Sequence, residues 1–362
     1  YNGEWIRPNT KVVSLYVDQT PENDQSIDRA REFDFTVYPT IPETLRCGTD
    51  QLAVDGILII GEHGEYPTNE KGQKLYPRYE FFKACVDVFE ADGRSVPIYN
   101  DKHLSYSFQK AREMLDDAKR LDFPVLAGSS LPVTWRNPDL ELPLDCEIEE
   151  ALIIGCGGSD PMDYHTLEAM QCMVERRQGG ETGVKAVQLL ENDAVWQAGE
   201  AGRWSYDLLE AALSRCDSPL GLPEQDGRTR DLLGSGDLQK RAQNPAAYCI
   251  EYTSGLNTTL LMLNGVIKDY CFAARLKNQS DLVSTQFFVT PTPNVDYSAC
   301  LVHKIDQMFQ TGKAPFSAKR TLLVSGTLES CLTSRVQNHQ RLDTPHLNVI
   351  YQPPVESQHP RI

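Results

Sequence analysis

Three groups of ionisable side chains each follow a short apolar segment, at the point where a strand of a parallel sheet would end. Asp18 follows the first segment, Glu62-His63 the second, and the motif Asp101-Lys102-His103-Leu104 the third. Because ligands of such sheets bind at the carboxyl ends of the strands, we expect these groups to converge on one cleft. Carboxylates, imidazoles and an amine suit proton transfer, and a lysine removed from water has a lowered pKa that favours this role.

A second set of candidate residues follows the last apolar segment of the same half of the chain. The small residues Gly128 and Ser129 permit a ligand to approach the backbone closely. Further on, Trp135 could stack on the face of a sugar, and Arg136 could bind a carboxylate or a phosphate. The alternative interpretation of this segment is an interdomain hinge with a packed tryptophan.

A divalent metal ion is an alternative occupant of the predicted cleft. The side chains that could converge there include the carboxylates and imidazoles that such an ion takes as ligands, namely Glu62, His63, Asp101, His103 and His165. Their spacing along the chain is non-local, and the ten cysteines contain no CxxC pair or zinc-finger spacing. We therefore predict a polar, hydrogen-bonded cluster at this position and no metal site.

Two regions of different periodicity must position these residues. From residue 12 to residue 127, short apolar runs alternate with segments of helical spacing, which predicts βαβ units and a parallel sheet. After Arg136 the apolar runs are longer and alternating, which predicts antiparallel strands interrupted by helices. The sequence thus predicts a Rossmann-like α/β domain over residues 1–133. An α+β domain with a large, mostly antiparallel open sheet follows over residues 134–362.

Composition limits the class of partner. The formal net charge of −16 disfavours nucleic acid or an anionic membrane surface and leaves a small molecule as the expected ligand. No apolar run approaches the ~18 residues that a membrane span needs. Scattered cysteines inside apolar runs suit a reducing compartment, so we predict a cytoplasmic protein. The chain begins with Tyr1, which is also compatible with a removed targeting segment.

Several segments, taken in order, resemble the glucose–fructose oxidoreductase/inositol dehydrogenase family, often called Gfo/Idh/MocA. The run 54–60 is similar to the fourth strand of the family, and 96–104 is similar to the segment that ends in Glu/Asp-Lys-Pro-Leu. In the second half, 164–168 is similar to the Gly-x-His-x-x-Asp region, and 311–315 with 319–323 to the C-terminal helices. The resemblance spans nearly the whole chain and implies the two-domain fold of the family.

The resemblance also implies an oxidoreductase that acts on a sugar, a polyol or a related small molecule with NAD or NADP. The family's lysine and second-domain histidine handle the hydroxyl proton, so Lys102 and His165 inherit catalytic roles, and we place His103 with them. Asp18 inherits the acid that binds the adenosine ribose. Glu62, His63 and Asp101 complete the predicted cofactor-binding residues, and Asp163 joins Trp135 and Arg136 as predicted substrate-binding residues. By the same resemblance, the second-domain sheet would pack against another subunit in a homodimer or homotetramer.

Departures from the family pattern bear directly on function. The sequence contains no Gly-x-Gly-x-x-Gly loop and no counterpart of the first strand, which would be central in the sheet. Because removal of a central strand leaves unpaired backbone groups on its two neighbours, either an upstream segment supplies the strand or the sheet is rebuilt without it. Of these two, we expect the upstream segment. His103 stands where the family usually has Pro, and Pro161 where it has Asp, with Asp160 and Asp163 nearby.

These departures keep three functional classes open. The first is the nicotinamide-dependent oxidoreductase that the resemblance implies. The second is a relative without redox chemistry, such as a lyase, hydrolase or epimerase that acts on a sugar derivative, with or without a metal ion. The third is a non-catalytic scaffold, because a fold alone does not determine a function.

Overall fold

The first half of the chain forms two small parallel sheets flanked by helices. The structure, a computed structural model, describes residues 7–158, 160–217, 231–290 and 296–361. The strands of this half are β1 (Ser14–Tyr16), β2 (Thr36–Tyr38), β3 (Ile57–Ile59), β4 (Ile98–Asp101) and β5 (Val125–Gly128). The helices are α1 (Ser26–Phe33), α2 (Ile41–Arg46), α3 (Arg78–Asp92) and α4 (Phe108–Arg120). Strands β1 and β2 form one parallel pair, and β3, β4 and β5 form a separate three-stranded parallel sheet.

Local sequence accounts for these elements. Helix α4 buries Phe108, Ala111, Met114 and Ala118, which recur at helical spacing and therefore lie on one face. Helix α3 ends at Gly93, whose φ of 65° is the left-handed conformation that glycine adopts without strain. All of β4 except its last residue is buried, as expected for a strand in the middle of a parallel sheet that is covered on both faces.

A gap separates the two parallel sheets. The loops that follow β1 and β3 touch, since Glu65 N donates to Gln19 Oε1 at 2.8 Å and the Tyr66 hydroxyl donates to Asp18 Oδ2 at 2.8 Å. Within the described ranges, however, no strand pairs with β3 on the side away from β4. Leu58 and Ile60, in and after β3, are 47% and 64% exposed. The expectation that a further strand and its loop complete this sheet remains a prediction.

The second half is built on one eight-stranded sheet. Its strands are β6 (Arg136–Asn137), β7 (Ile148–Gly155), β8 (Val184–Glu191), β9 (Ala246–Tyr252), β10 (Asn257–Met262), β11 (Tyr270–Leu276), β12 (Val283–Phe287) and β13 (Leu342–Asp343). Their order is β13-β8-β9-β10-β7-β11-β12-β6, and every pair is antiparallel except β7 with β10. The helices are α5 (Asp160–Val174), α6 (Asp193–Glu200), α7 (Tyr206–Leu213), α8 (Asp237–Arg241), α9 (Asp296–Thr311) and α10 (Lys319–Val336). The predicted fold class is confirmed.

Both faces of this sheet are covered by helices of the same chain. Alternate residues of β7 point to opposite faces of the sheet and lie in two different cores. Ile153 belongs to a core shared with α5 and α10, whereas Leu152 and Ile154 belong to a second core. Trp204, which precedes α7, and Leu208, which lies within it, are at most 1% exposed in that second core. In the described part of the chain, the sheet therefore presents no bare face of its own.

Two further predictions concern covalent links and membranes. All ten cysteines are free, and the Sγ atoms of Cys216 and Cys271 lie 3.6 Å apart without a disulfide bond. Among the helices of the described ranges, none is long and apolar enough to cross a membrane.

Candidate functional site

The end of β4 places Lys102 against the loop that follows β3, with α5 nearby. Lys102 has a φ of 56°, and its backbone N–H donates to Gly128 O at 3.2 Å, so the chain leaves β4 while still held to β5. Its ammonium group contacts the Glu62 carboxylate from the loop after β3 and lies 3.4 Å from Asp101 Oδ2. Two neighbouring strand ends thus meet at one amine, as the sequence predicts for this edge of the sheet.

Burial adjusts the acid–base properties of this group of side chains. Loss of hydration lowers the pKa of Lys102 to about 8, because the charged ammonium form is disfavoured away from water. Burial likewise raises the pKa of Asp101 above its usual range. The Tyr99 hydroxyl lies 3.1 Å from Asp101 Oδ1 and 2.9 Å from Gly128 O, which fixes the carboxyl at the end of the strand.

Helix α5 places His165 close enough to Lys102 for the lysine charge to affect its titration. Burial, followed by the nearby positive charge of Lys102, lowers the pKa of His165 to about 3. The imidazole is therefore neutral at physiological pH. Its Nδ1 atom has no hydrogen-bond partner among the described residues. A neutral ring with one unpaired nitrogen beside a lysine can donate or accept a hydrogen bond from a ligand hydroxyl.

His103 lies deeper than Lys102 and joins the motif to α5. Its side chain is 1% exposed, with Nδ1 3.4 Å from Arg78 Nη1 and Nε2 3.3 Å from Asp160 Oδ2. Since a guanidinium only donates hydrogen bonds, Nδ1 must accept, and the ring proton resides on Nε2 and points to Asp160. Burial lowers the pKa of His103, so this ring is neutral as well. The residue that replaces the usual proline thus connects the two halves of the chain.

Two further carboxyl groups of α5, those of Asp163 and Glu168, are buried and hydrogen-bonded. Asp163 accepts hydrogen bonds from Gly158 N at 2.8 Å and the Tyr248 hydroxyl at 2.5 Å, and burial raises its pKa. Glu168 accepts from both the backbone N–H and the hydroxyl of Ser129 at 2.7 Å. Burial raises the pKa of Glu168 to about 7. These bonds anchor α5 to the segment after β5 and to β9.

Other predicted site residues form no hydrogen bond or ion pair with Lys102 in the described part of the chain. Asp18 is exposed and accepts from the hydroxyls of Tyr16 and Tyr66, both at 2.8 Å. His63 is exposed, with a φ of 68°. Trp135 is partly buried against the small core that contains Phe316.

Arg136 serves an internal role in this structure. Its side chain is 3% exposed and donates to Leu140 O and Glu141 Oε1, both at 2.9 Å. The guanidinium also packs over the ring of Phe287. The Arg136 guanidinium is therefore already paired within the protein, whereas the sequence predicts that it binds the substrate.

The principal residue that sequence reasoning missed is Arg78, the first residue of α3. It is fully buried and reaches His103 from below the Glu62 loop, where a Cβ on Gly61 would lie 2.9 Å from Arg78 Cγ. A positive charge in the first turn of a helix opposes the helix dipole. That unfavourable placement, directly after Pro77, is the signal that could have indicated a specific role.

A metal centre receives no support from this geometry. In the ranges that the structure describes, no group of three or more His, Cys, Asp or Glu side chains is placed to hold a metal ion. The cluster at Lys102 instead consists of ion pairs and hydrogen bonds between protein groups.

Comparison with known proteins identifies the fold. No family model matches the chain, and no curated protein matches its sequence. Among solved structures, it is similar to myo-inositol dehydrogenase from Lactobacillus casei in complex with NAD(H) and myo-inositol, with a TM-score of 0.56 and 11% identity over 95% of this chain and 91% of that one.

Two further structures give the same result. The NAD complex of GenD2 from gentamicin A biosynthesis has a TM-score of 0.54 and 12% identity over 92% of this chain and 89% of that one. Myo-inositol 2-dehydrogenase from Lactobacillus plantarum has a TM-score of 0.51 and 10% identity over 92% and 91%. At these identities the likeness establishes the fold alone, which is the fold that these solved structures share.

Proposed function

We propose that this protein is an oxidoreductase that acts on a hydroxyl group of a sugar, polyol or related small molecule with NAD or NADP. The observation that carries the proposal is Lys102, a partly buried amine with a pKa of about 8 that pairs with Glu62 at the carboxyl end of β4 and whose charge affects His165 of α5. The fold adds support, since structures with this fold include dehydrogenases solved with NAD(H) and a polyol.

The two pKa values support different roles for the two proton-transfer residues. A base works best when its pKa is near the ambient pH, which suits Lys102 at about 8 and disfavours His165 at about 3. Lys102 in its neutral form therefore removes the hydroxyl proton, and Glu62 stabilises the ammonium ion that results. His165 holds the same hydroxyl oxygen through a hydrogen bond and orients it.

The residues that would hold the cofactor fit its ribose end. Asp18 is exposed at the end of β1, and the two tyrosine hydroxyls that bind it leave each oxygen with a free acceptor site for a ribose hydroxyl. The loop with Glu62 and His63 would border the nicotinamide end. A bound nicotinamide supplies the hydride acceptor. A glycine turn for the pyrophosphate is absent from the sequence and so does not contribute to this fit.

Binding and turnover of the full-length gene product test the proposal. Isothermal titration with NAD and NADP, followed by assays of nicotinamide reduction with a panel of polyols and sugars, should detect both. We expect Lys102→Met to lower turnover at least about 100-fold while nucleotide binding persists. The exposed Lys277, paired with Glu147, supplies the matched control Lys277→Met, which should retain full activity. Failure to bind either nucleotide would refute the proposal.

A second candidate is a lyase or epimerase that uses the same proton-transfer residues without a nicotinamide. The observation that favours it is the Lys102–Glu62 ion pair, an acid–base pair in a chain whose sequence lacks the glycine loop. Such an enzyme would convert a sugar derivative at an undiminished rate after complete removal of nucleotide. Activity that is lost on dialysis and restored only by NAD or NADP would exclude it, and loss on chelation would indicate a metal-assisted version.

A further inference from the structure

Arg78 places a fully buried cation near the proposed site, and no described carboxylate forms an ion pair with it. Its side chain has 0% exposure, and its only polar contact among the described residues is the 3.4 Å approach of Nη1 to His103 Nδ1. Nε and Nη2 have no hydrogen-bond partner among the described residues. The guanidinium packs over the ring of Tyr76, 4.9 Å from its centroid, so one of its faces is also enclosed.

This arrangement is costly unless something else binds the free nitrogens. Arginine remains protonated in proteins, so it cannot avoid the cost of burial by losing its charge. Buried charges are normally paired and hydrogen-bonded, because the loss of hydration is otherwise uncompensated. Asp101 and Asp160 act on Arg78 electrostatically, yet neither forms an ion pair with it in the described structure.

The free edge of Arg78 is the edge with which this protein binds carboxylates elsewhere. Three bidentate pairs use Nε together with Nη2: Arg46–Asp92 at 3.0 and 2.6 Å, Arg320–Glu175 at 2.8 and 2.5 Å, and Arg341–Glu251 at 2.7 and 2.6 Å. Such parallel hydrogen bonds match the two oxygens of a carboxylate. Arg78 presents the same pair of donors without an acceptor.

The surrounding unpaired atoms indicate what else the ligand carries. Asn100 Oδ1, Asp160 Oδ1 and His165 Nδ1 are buried and lack partners among the described residues. Two of these residues contact His103 directly, since Asn100 Nδ2 donates to His103 O and Asp160 Oδ2 lies against His103 Nε2, both at 3.3 Å. His165 lies on the same helix as Asp160. Two carbonyl or carboxylate oxygens and an imidazole nitrogen suit hydroxyl groups. A ligand with one carboxylate and several hydroxyls would match both sets of atoms.

We propose that Arg78 binds the carboxylate of the substrate, so that the substrate is a sugar acid rather than a neutral polyol. This inference rests on the proposed function, because it places the ligand in the cleft of Lys102. The carboxylate would lie on Nε and Nη2, while the hydroxyls contact Asp160 and His165. Enclosure of the ion pair strengthens its charge-assisted hydrogen bonds.

Titration with two matched probes tests the inference. Gluconate and glucitol have the same carbon chain and differ in the carboxylate. We expect the unaltered protein to bind gluconate at least about tenfold more tightly than glucitol. Arg78→Met should abolish this preference and leave glucitol affinity unchanged. The control Arg341→Met removes an exposed arginine with the same bidentate geometry and should preserve the preference.

A second variant and a competing anion make the test decisive even if Arg78→Met does not fold. If Arg78→Met does not fold, Arg78→Gln, which retains hydrogen-bonding capacity without the charge, should show the same loss of preference. The inference would be overturned if the unaltered protein did not prefer gluconate over glucitol, or if either Arg78 variant kept that preference. It would also be overturned if inorganic sulfate competed as well as gluconate. Lys102→Met should keep the preference while losing turnover. A gluconate preference without nicotinamide-dependent turnover would therefore refute the proposed function but not the carboxylate site.

Discussion

The pKa of Lys102 is set by its surroundings, and its titration gives the first prediction. With its pKa lowered to about 8 by burial, most of the amine is protonated at pH 7 and neutral above pH 8. If the neutral amine is the base, kcat/KM should rise about tenfold per pH unit below pH 8 and level off above it. The measurement is the pH profile of kcat/KM for the unaltered protein.

A matched variant separates this explanation from other titrations. Lys102→Arg keeps a positive charge that does not dissociate in this range. Its residual activity should be low and should show no step near pH 8. A step of unchanged size in Lys102→Arg would assign the titration to another group.

Glu168 provides a prediction about stability rather than catalysis. Burial raises its pKa from 4.5 to about 7, so the folded state binds a proton more tightly than the unfolded state does. The stabilisation from that proton is complete below pH 4.5 and is lost as the pH rises through 7. A shift of this size corresponds to about 3 kcal/mol in the free energy of unfolding.

Denaturant unfolding at pH 5 and pH 8 measures this effect. Glu168→Gln should remove most of the loss of stability between these two pH values, because an amide has no proton to release. Glu149→Gln, at an exposed position in β7, should leave the pH dependence unchanged. Equal pH dependence in the unaltered protein and Glu168→Gln would contradict the prediction.

At the residue scale, the sequence reveals side chains that follow strands but not those that arrive from elsewhere. Lys102 and Asp101 were predictable because a strand end fixes the position of the next residue. The placement of His165 beside Lys102 was expected from the resemblance alone. Arg78 was not predicted, since a charged residue at a helix start is normally solvated, and its burial depends on the absence of a side chain at Gly61.

At the scale of elements, α7 and the segment before it form the cover of the second sheet face. Trp204 is 1% exposed, donates from Nε1 to Val195 O at 3.1 Å, and has its ring centroid 4.6 Å from that of Tyr206. Trp204→Ala should lower the free energy of unfolding by about 3–5 kcal/mol, because it leaves a cavity and an unpaired carbonyl group. Chemical denaturation measures the change.

The control for this prediction is an apolar residue outside the cores. Val302 of α9 is 45% exposed, so Val302→Ala should change the free energy of unfolding by less than about 0.5 kcal/mol. If Trp204→Ala costs no more than Val302→Ala, the cover formed by α7 does not contribute to stability as described.

Strand β7 shows why the apolar pattern of the sequence does not indicate every strand of the fold. It is central in the eight-stranded sheet, yet it begins with Ile148-Glu149-Glu150, which interrupts the apolar pattern. Only residues 151–155 are buried. Its parallel pairing with β10 joins segments about a hundred residues apart, from Glu150–Asn257 to Gly155–Met262. Which distant strands pair in this way depends on tertiary packing, and the local sequence pattern does not reveal it. The strands β9 and β11, by contrast, have apolar runs that are buried along most of their length, which local periodicity is sufficient to detect.

At the scale of the whole molecule, the coverage of the large sheet constrains association. The prediction of a homodimer or homotetramer assumed a sheet face available to another subunit. Here α6, α7 and α8 pack on that face through Val195, Leu208 and Leu238. An interface between copies would therefore have to use another surface, and size-exclusion chromatography with light scattering measures whether one exists.

The C-terminal segment links distant parts of the chain through a buried charge network. His359 lies 2.8 Å from Asp139 Oδ1 and 3.5 Å from Glu141 Oε2, while Arg176 donates from Nη1 to Pro354 O at 2.9 Å. Burial acts to raise the pKa of Glu141, but the hydrogen bond from His359 and the charge of nearby arginines outweigh it. The pKa is held well below its usual range.

Removing His359 should therefore make the protein more sensitive to acid. A carboxyl group with a lowered pKa in the folded state contributes stability above its unfolded pKa and loses that stability as the pH falls. In His359→Ala, Glu141 keeps its arginine partners but loses its imidazole donor, so its pKa should rise and acid unfolding should begin at a higher pH. The matched change His63→Ala, at an exposed loop position, should leave the acid transition in place. Far-UV circular dichroism during acid titration measures both, and coincident transitions would show that the C-terminal segment does not stabilise Glu141.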